Sequence, residues 1–597
     1  MKSDYRNTVL TGGFWKHKED LNRDITLNAV YEQFDKTGRV AAFRCDWKEG
    51  MPNQPHVFWD SDVAKWMEGA SYALYRQYDA DLESKIEALI DCIEKNQAED
   101  GYFNIYYLVV MPGKRYTNRD MHELYCAGHL IEAAVAYYEA TGRDRFLRLM
   151  EKYAAYIKAV FMDKTAEPMP KFQTPGHQEI EIALFRLYRC TGNKDWFDLA
   201  EFFLNQRGNN ALDEGHSQQI QSHLPVRKQK TAVGHSVRAG YQYAAMTTLA
   251  RETGEKELAD TCRTLFDDIT KYKMYITGGV GSRSSGEAYS IPYDFLNDKA
   301  YAETCAAVSM IFFAHEMFLM DRESRFADVI ERELYNGVLS GLSLSGDEFF
   351  YENPLEIHPD NYRKTWDRYP ISERVKVFSC SCCPPNLNRV LASLSRYFYA
   401  SEEGSVWVNQ FGESEYACDG MTVVQKTEYP YDGRIALQTK GTKEVYVRIP
   451  GWCRSFSASR TYTMVNGYAC FAGEGEIVID LVMEPVFLQS NILVYKNLDT
   501  AAVQYGPVVY CAEGLDNNGD VHSLYLNVSD PDWEILPTEE YGCHRLSVNG
   551  WRRENAEDAP FYPLQEQFSH TRIRLIPYHA FANRGTTPML VYLHYRQ

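Results

Sequence analysis

Leu82, Ile86, Leu89, Ile90 and Ile93 recur at i, i+4, i+7, i+8 and i+11, one apolar stripe on a helix. Asp79 or Asp81 suits its N-cap, and Asp100-Gly101 turns the chain after it. The same period runs through the first two thirds of the chain. Three such segments end in Thr141-Gly142, Thr191-Gly192 and Thr253-Gly254, and another amphipathic segment follows each within a few residues. Glycine just past a helix adopts the left-handed conformation at little cost, so each Thr-Gly marks the bend of a helical hairpin. The bends are 50 and 62 residues apart, and a degenerate fourth copy, Met317 to Tyr335, turns at Asp321-Arg322. Eleven or twelve helices are expected between about residues 60 and 400. The economical arrangement is an (α/α)6 toroid, in which inner and outer helices alternate around a cleft. An open solenoid would carry the same repeat.

After Tyr399 the period changes to that of strands. Val406 to Phe411, Glu444 to Ile449 (closed by Pro450-Gly451), Glu476 to Leu481, and Val508-Val509-Tyr510 after Gly506-Pro507 all read as strands. Short strands at this spacing predict one or two antiparallel β-sandwiches. The expected division is a helical domain at 1–400 and sandwich domains at 401–597. No low-complexity linker separates them, so the sandwich is expected to pack on the toroid.

Composition narrows the functions. A chain of 597 residues exceeds one ordinary core, and two to four domains are expected. The formal charge of −19, with no Lys/Arg-rich block, argues against nucleic acid as a partner. Aromatic residues make up 14%, with 43 Tyr. That suits stacking on sugar rings, and equally suits half-wet positions in large domains. Met1 to Asp20 has no apolar h-region, and the apolar run Ala306 to Ala314 is too short to span a bilayer. A cytoplasmic protein with no membrane partner is expected. In a reducing compartment most of the 14 cysteines would be small buried hydrophobes, with a minority in metal or redox chemistry.

One cluster suits that minority: Cys380-Ser381-Cys382-Cys383-Pro384-Pro385-Asn386, with Ala302-Glu303-Thr304-Cys305 upstream. The double proline is expected to hold Cys383 extended, with Asn386 capping a helix striped by Leu387, Val390, Leu391 and Leu394. Cys382 and Cys383 then precede a helix N-terminus, where positive partial charge favours thiolate. Thr304 is expected to cap a second helix, with Glu303 and Cys305 on one side of the chain before it. One carboxylate and three thiolates suit a tetrahedral Zn²⁺. A vicinal disulfide or ordinary buried thiols fit the spacing too, since 77 positions separate Cys305 from Cys382. Cys380 reads as a structural thiol.

With Thr277-Gly278-Gly279 and Gly286-Glu287, these motifs resemble the zinc-dependent β-L-arabinofuranosidases of glycoside hydrolase family 127. The resemblance runs from Trp59-Asp60-Ser61-Asp62 to Arg448-Ile449-Pro450-Gly451-Trp452 and Gly506-Pro507-Val508-Val509-Tyr510. It implies a catalytic (α/α)6 barrel with β-sandwiches behind it. It implies Cys382 as nucleophile, Glu287 as general acid/base, and Glu303, Cys305, Cys382 and Cys383 as zinc ligands. His177 and His235 resemble the family's sugar-binding histidines. His122 and His129, seven apart on one helical face, and Tyr351 are further candidates for sugar contact or for contact near the nucleophile. Glu179 and Glu181 diverge by roughly 200° on a helix and are not an acid/base pair. Trp59, Trp66 and Trp452 read as core.

The implied activity is a retaining exo-glycosidase that releases terminal β-L-arabinofuranose from oligosaccharides or glycoconjugates. Another furanoside or an unusual plant sugar would suit the same chemistry. Two other classes stay open: a carbohydrate-binding scaffold with structural zinc, and a toroidal epimerase or lyase using His and Tyr. The sequence does not decide the oligomeric state; a homodimer is compatible with it.

Overall fold

A computed structural model describes residues 1–209, 217–359, 369–554, 559–564 and 566–596. The chain begins with α1 (Gly13–Leu21) and α2 (Leu27–Lys36), joined by a π-helical turn at Asn22–Thr26. Five helical hairpins follow: α3 (Trp59–Arg76) with α4 (Ala80–Asn96), α5 (Glu123–Thr141) with α6 (Arg145–Phe161), α7 (Ile180–Thr191) with α8 (Lys194–Gln206), α9 (Ser236–Thr253) with α10 (Lys256–Tyr272), and α11 (Thr304–Asp321) with α12 (Ser324–Arg332). Last comes α13 (Cys383–Ala392). The odd-numbered helices from α3 to α13 pack side by side in order, and α13 returns to α3, so the ring closes. The even-numbered partners lie outside, and α2 with its π turn takes the sixth outer place against α13. Closure rules out the open solenoid.

The sequence explains which helices go inside. The stripe Leu82, Ile86, Leu89, Ile90, Ile93 is the buried side of the outer helix α4, whose start Asp79 caps by accepting from the Asp81 and Leu82 amides. Inner helices are buried nearly all round. α11 is long and apolar enough to cross a bilayer by length and composition, twice the run read from the sequence, yet 78% of it lies inside the protein. The predicted bends hold: Gly142, Gly192 and Gly254 are left-handed at φ 72°, 73° and 70°, and Arg322 takes the same place at φ 56°.

The two ends of the ring differ. The N-termini of all six inner helices converge on one cavity. Their C-terminal halves bring Arg186, Arg189 and Arg389, with Arg396 from the turn after α13, around a second, smaller one. Cations suit that end, where the peptide dipoles of six helices finish negative.

Beyond residue 398 the chain forms two β-layered units. The first has a six-stranded and a five-stranded sheet, and the second a ten-stranded sheet in which nine strands follow one path and the tenth pairs beside it. Among the described residues, pairing is antiparallel with two exceptions. Glu444–Arg448 runs parallel to Ser405–Val408, and Leu524–Asn527 parallel to Leu593–Arg596. The helical region also lends strands: Thr8–Leu10 pairs with Ser414–Cys418, and Glu356–Ile357 pairs with Met589–Leu590. Arg448 locks the first unit to α12. Fully buried, it donates to Glu331 Oε1 at 2.6 Å and Asp328 Oδ1 at 2.7 Å. Trp452, expected in the core, is half-buried and donates to Glu331 Oε2 at 3.1 Å. Arg448→Met strands two carboxylates, and a loss of about 3–5 kcal/mol is expected, read as a lower denaturation midpoint.

Candidate active site

Four donor atoms meet where α11 and α13 begin. Glu303 is the extended N-cap residue of α11 (φ −60°, ψ 137°), and Cys305 lies in the first turn. Thr304 does not cap the helix as expected. Its amide donates to the Tyr351 carbonyl at 3.0 Å and its hydroxyl to the Phe350 carbonyl at 2.9 Å, stapling the loop of Tyr351 to the helix start.

The other half also departs from expectation. Cys383 is the first residue of α13, and Cys382 is its N-cap residue with helical angles (φ −72°, ψ −30°). Proline needs no amide partner in a first turn and brings φ near −65°, so the double proline starts the helix four residues early instead of delaying it. Neighbours on a helix diverge by about 100°, less than the near-opposite directions of a strand, and both thiols therefore reach one cluster. Freed from capping, Asn386 donates from Nδ2 to Cys305 Sγ at 3.0 Å and accepts from Arg389 Nε at 2.8 Å.

The sulfur atoms lie 3.4 Å (Cys305–Cys382), 3.3 Å (Cys305–Cys383) and 3.9 Å (Cys382–Cys383) apart. Glu303 Oε1 lies 3.7 Å from Cys382 Sγ and 3.8 Å from Cys383 Sγ. A tetrahedral site with metal–sulfur bonds of ~2.3 Å and a metal–oxygen bond of ~2.0 Å needs separations of ~3.8 and ~3.5 Å. The four residues thus form a candidate metal site already at coordination spacing. Glu303 Oε2 is buried without a hydrogen-bond partner among the described residues.

Charge points the same way. Burial pushes the Cys305 and Cys383 thiols and the Glu303 carboxyl well up, and neighbouring negative groups add to the Glu303 shift. Hydrogen bonds from Cys305, Cys380 and Cys383 hold the Cys382 thiol well down. A divalent cation would let all four donors ionise. Asn386→Ala removes the hydrogen bond to Cys305 Sγ in the candidate metal site. It is expected to weaken metal binding by about 10–100-fold, measured against a competing chelator.

Glu287 approaches from a separate loop. Gly286 (φ 72°) and Glu287 (φ 54°) are consecutive left-handed residues, strained for the second. Gln219 Nε2 donates to the Gly286 carbonyl at 2.7 Å and Ser236 Oγ to the Glu287 carbonyl at 3.1 Å. Strand pairing of Gly234-His235 with Ala288-Tyr289 completes the brace. His235 Nε2 sits 2.8 Å from Glu287 Oε2. Burial lowers the His235 pKa despite that contact, so a neutral imidazole donates to the carboxylate. One carboxylate oxygen each of Glu287 and Glu303 and a His235 ring nitrogen lie within 4.8 Å of one another. Glu303 therefore belongs both to this group and to the thiol cluster.

Both groups open onto the cavity of ≈ 290 Å³ at the helix N-termini, lined by Cys382, Cys305, Glu303, Glu287 and Tyr351 among others. The Tyr351 hydroxyl is 3.3 Å from Cys382 Sγ. His122, His177 and His235 also line the cavity. His122 is the left-handed N-cap residue of α5 (φ 62°). His177 precedes α7 by three residues, and its Nδ1 is 2.8 Å from the Gln178 carbonyl, which leaves Nε2 as an acceptor. His129 is not among the lining residues. It lies fully buried two turns deeper in α5 than His122, with Nδ1 3.2 Å from Glu179 Oε1 and Tyr125 packed on its ring, so it has no route to a sugar. Cys380, read as structural, is in the cavity wall, as are Asp62, Tyr125, Arg238 and Gln219. Asp62 stood in a motif singled out for resemblance; the others had no local signal.

Burial above all pushes His122 and His579 down to about 3. In the unfolded chain both titrate near 6.5. Below that pH the unfolded state binds protons that the folded state refuses, so stability falls as pH drops, by about 1.4 kcal/mol per pH unit for each histidine. Denaturation midpoints at about pH 7 and about pH 5 check this, and equal values would contradict it.

The sequence profile described as the β-L-arabinofuranosidase GH127 catalytic domain matches residues 7–396. The chain belongs to glycoside hydrolase family 127. Profiles of the GH127 middle and C-terminal domains match residues 405–475 and 485–594. In this GH127 chain the three segments correspond to the helical ring and the two β-layered units. A non-reducing end β-L-arabinofuranosidase of Bifidobacterium longum subsp. longum is 33% identical, over 98% of this chain and 99% of the relative. The crystal structure of a GH127 β-L-arabinofuranosidase from Geobacillus stearothermophilus T6 superposes with a TM-score of 0.93 at 36% identity, covering 99% of this chain and 100% of that one. A GH127 β-arabinofuranosidase structure gives 0.90 at 31% identity, covering 100% and 97%.

Proposed function

We propose that this GH127 enzyme removes a terminal β-L-arabinofuranose from short oligosaccharides or glycoconjugates with retention of configuration. In this reading Cys382 is the nucleophile, Glu287 the general acid/base, and Zn²⁺ the metal of the Glu303–Cys305–Cys382–Cys383 cluster. The observation that carries it is the double placement of Cys382: its sulfur is one of four atoms at ligand spacing, and it also faces the sugar-sized cavity that Glu287 lines.

Zinc, when bound, keeps the thiolate ionised at neutral pH and damps its reactivity. The residues do the rest. Protonated Glu287 donates to the glycosidic oxygen while Cys382 Sγ attacks the anomeric carbon, and the C–O bond breaks as the C–S bond forms. The alcohol leaves and Glu287 is ionised. It then takes a proton from water, whose oxygen displaces the sulfur and restores the thiolate. Two inversions give retention. The Tyr351 hydroxyl hydrogen-bonds the sulfur anion and fixes its direction. His122, His177 and His235 offer neutral imidazoles to the sugar hydroxyls. A cavity near the lower end of the usual ligand range of about 300–1,000 Å³ suits one sugar unit, which supports action at a chain end.

The test is hydrolysis of p-nitrophenyl β- and α-L-arabinofuranosides followed by proton NMR. The expected first product from the β-anomer is β-L-arabinofuranose. An α first product, or no turnover by metal-loaded enzyme on either anomer, overturns the reading.

A further inference from the structure

A second group of metal-binding side chains lies where the helical domain meets the last β-layered unit. Glu356 lies in the strand that the helical region lends to that unit, His358 directly follows that strand, and His522 comes from the turn leading into Leu524–Asn527. His522 lies 164 residues beyond His358 in sequence. His358 Nε2 is 2.5 Å from Glu356 Oε1, and His522 Nδ1 is 4.0 Å from the same oxygen. The two imidazoles stack face to face, centroids 4.2 Å apart and planes 9° from parallel. His522 Nε2 is buried without a hydrogen-bond partner among the described residues.

We propose that Glu356, His358 and His522 bind a divalent transition-metal ion of the zinc type, distinct from the ion of the thiol cluster. Two imidazoles and one carboxylate are a regular three-ligand set for such an ion, with water as the fourth ligand. Nitrogen and oxygen donors at ~2.0–2.1 Å in a tetrahedron stand ~3.4 Å apart. The two nitrogen-to-Glu356 distances fall on either side of that value, and one oxygen of the Glu356 carboxylate and one nitrogen from each ring already lie within 4.8 Å of one another.

Stacked rings point their lone pairs side by side, so binding requires one imidazole to turn. The side chains are 22% (Glu356), 31% (His358) and 35% (His522) exposed, which leaves room for that rotation and access for the ion. The acidic chain adds attraction for a cation. The ion would tie a strand of the helical domain to a turn of the C-terminal unit, and it would serve stability rather than turnover.

The experiment is zinc titration of the full-length, metal-loaded enzyme against a chromogenic chelator, comparing wild type with His522→Ala and, independently, His358→Gln. Wild type is expected to take up one more equivalent of zinc than either variant. Its thermal midpoint should rise with zinc by about 2 °C, a shift the variants lose. Turnover should be equal in all three. Because the readout is the difference between wild type and variants, it does not depend on what the thiol cluster holds. Crystals of wild type soaked in zinc should give an anomalous peak between Glu356 and His522, a measurement that needs no variant to fold. Equal zinc uptake in wild type and a folded variant, or no anomalous peak there, overturns the proposal.

Discussion

Cys382→Ser is expected to lower kcat on an aryl β-L-arabinofuranoside by a factor on the order of 10⁴–10⁶ while the fold persists. Serine keeps the N-cap position and the volume. Its hydroxyl is a far weaker nucleophile and a poor metal ligand, so the substitution removes an attacking atom and one of four donors together. Metal content separates the two losses. If Cys383→Ser, which alters a ligand outside the cavity wall, retains substantial turnover at saturating zinc while Cys382→Ser does not, the effect belongs to attack. Circular dichroism should stay unchanged, because α13 is started by Pro384 and Pro385 rather than by the thiols. Near-normal turnover by folded Cys382→Ser would remove the nucleophile from the mechanism.

Glu287→Gln is expected to cost about 10²–10⁴ in kcat for substrates with a sugar or alkyl leaving group. The loss should shrink for an activated aryl leaving group, whose oxygen departs without a proton. The pH profile should change with it. In wild type the basic limb of kcat/KM reports loss of the proton that Glu287 must donate, and in the variant that limb should flatten. In the proposed mechanism the His235 hydrogen bond to Glu287 would stabilise the ionised form needed in the second step. A leaving-group-independent loss, or an unaltered basic limb, would assign the proton transfer to another group.

The sequence made the fold legible because its evidence there is periodic and local. Apolar stripes give the helices, and Thr-Gly bends give the hairpins. Closure of the ring was not local: it depends on α13 meeting α3, and on α2 filling a gap that only the finished ring defines. The parallel strand pairs and the two borrowed strands escaped notice for the same reason, since each strand pairs with a distant segment. In the candidate site, residue types and spacing admit Glu303, Cys305, Cys382 and Cys383 as one group beside a disulfide or plain buried thiols, and it is the family resemblance that favours the group. The backbone that collects them was misread, because the rule that proline disfavours a helical predecessor competes with its aptitude for a first turn, and here the second dominates at Cys383. His129 and His122 illustrate another limit. Seven residues place two side chains on one face, yet only the residue at the helix mouth reaches the cavity. Arg238 and Gln219 carried no signal, because their part is assigned by the loop of Glu287 folding over them.

The borrowed strands limit how the protein can be cut. A fragment ending at residue 400 would keep Thr8–Leu10 and Glu356–Ile357 without the partners they pair with, two bare edges free to recruit other chains. The complementary fragment would lack one border strand in each of its two units. Catalytic ring and appended sheets are therefore not interchangeable modules. An attempt to graft this active site onto a shorter scaffold, or to swap the C-terminal half with that of a relative, must carry both loaned segments along or expect insoluble product.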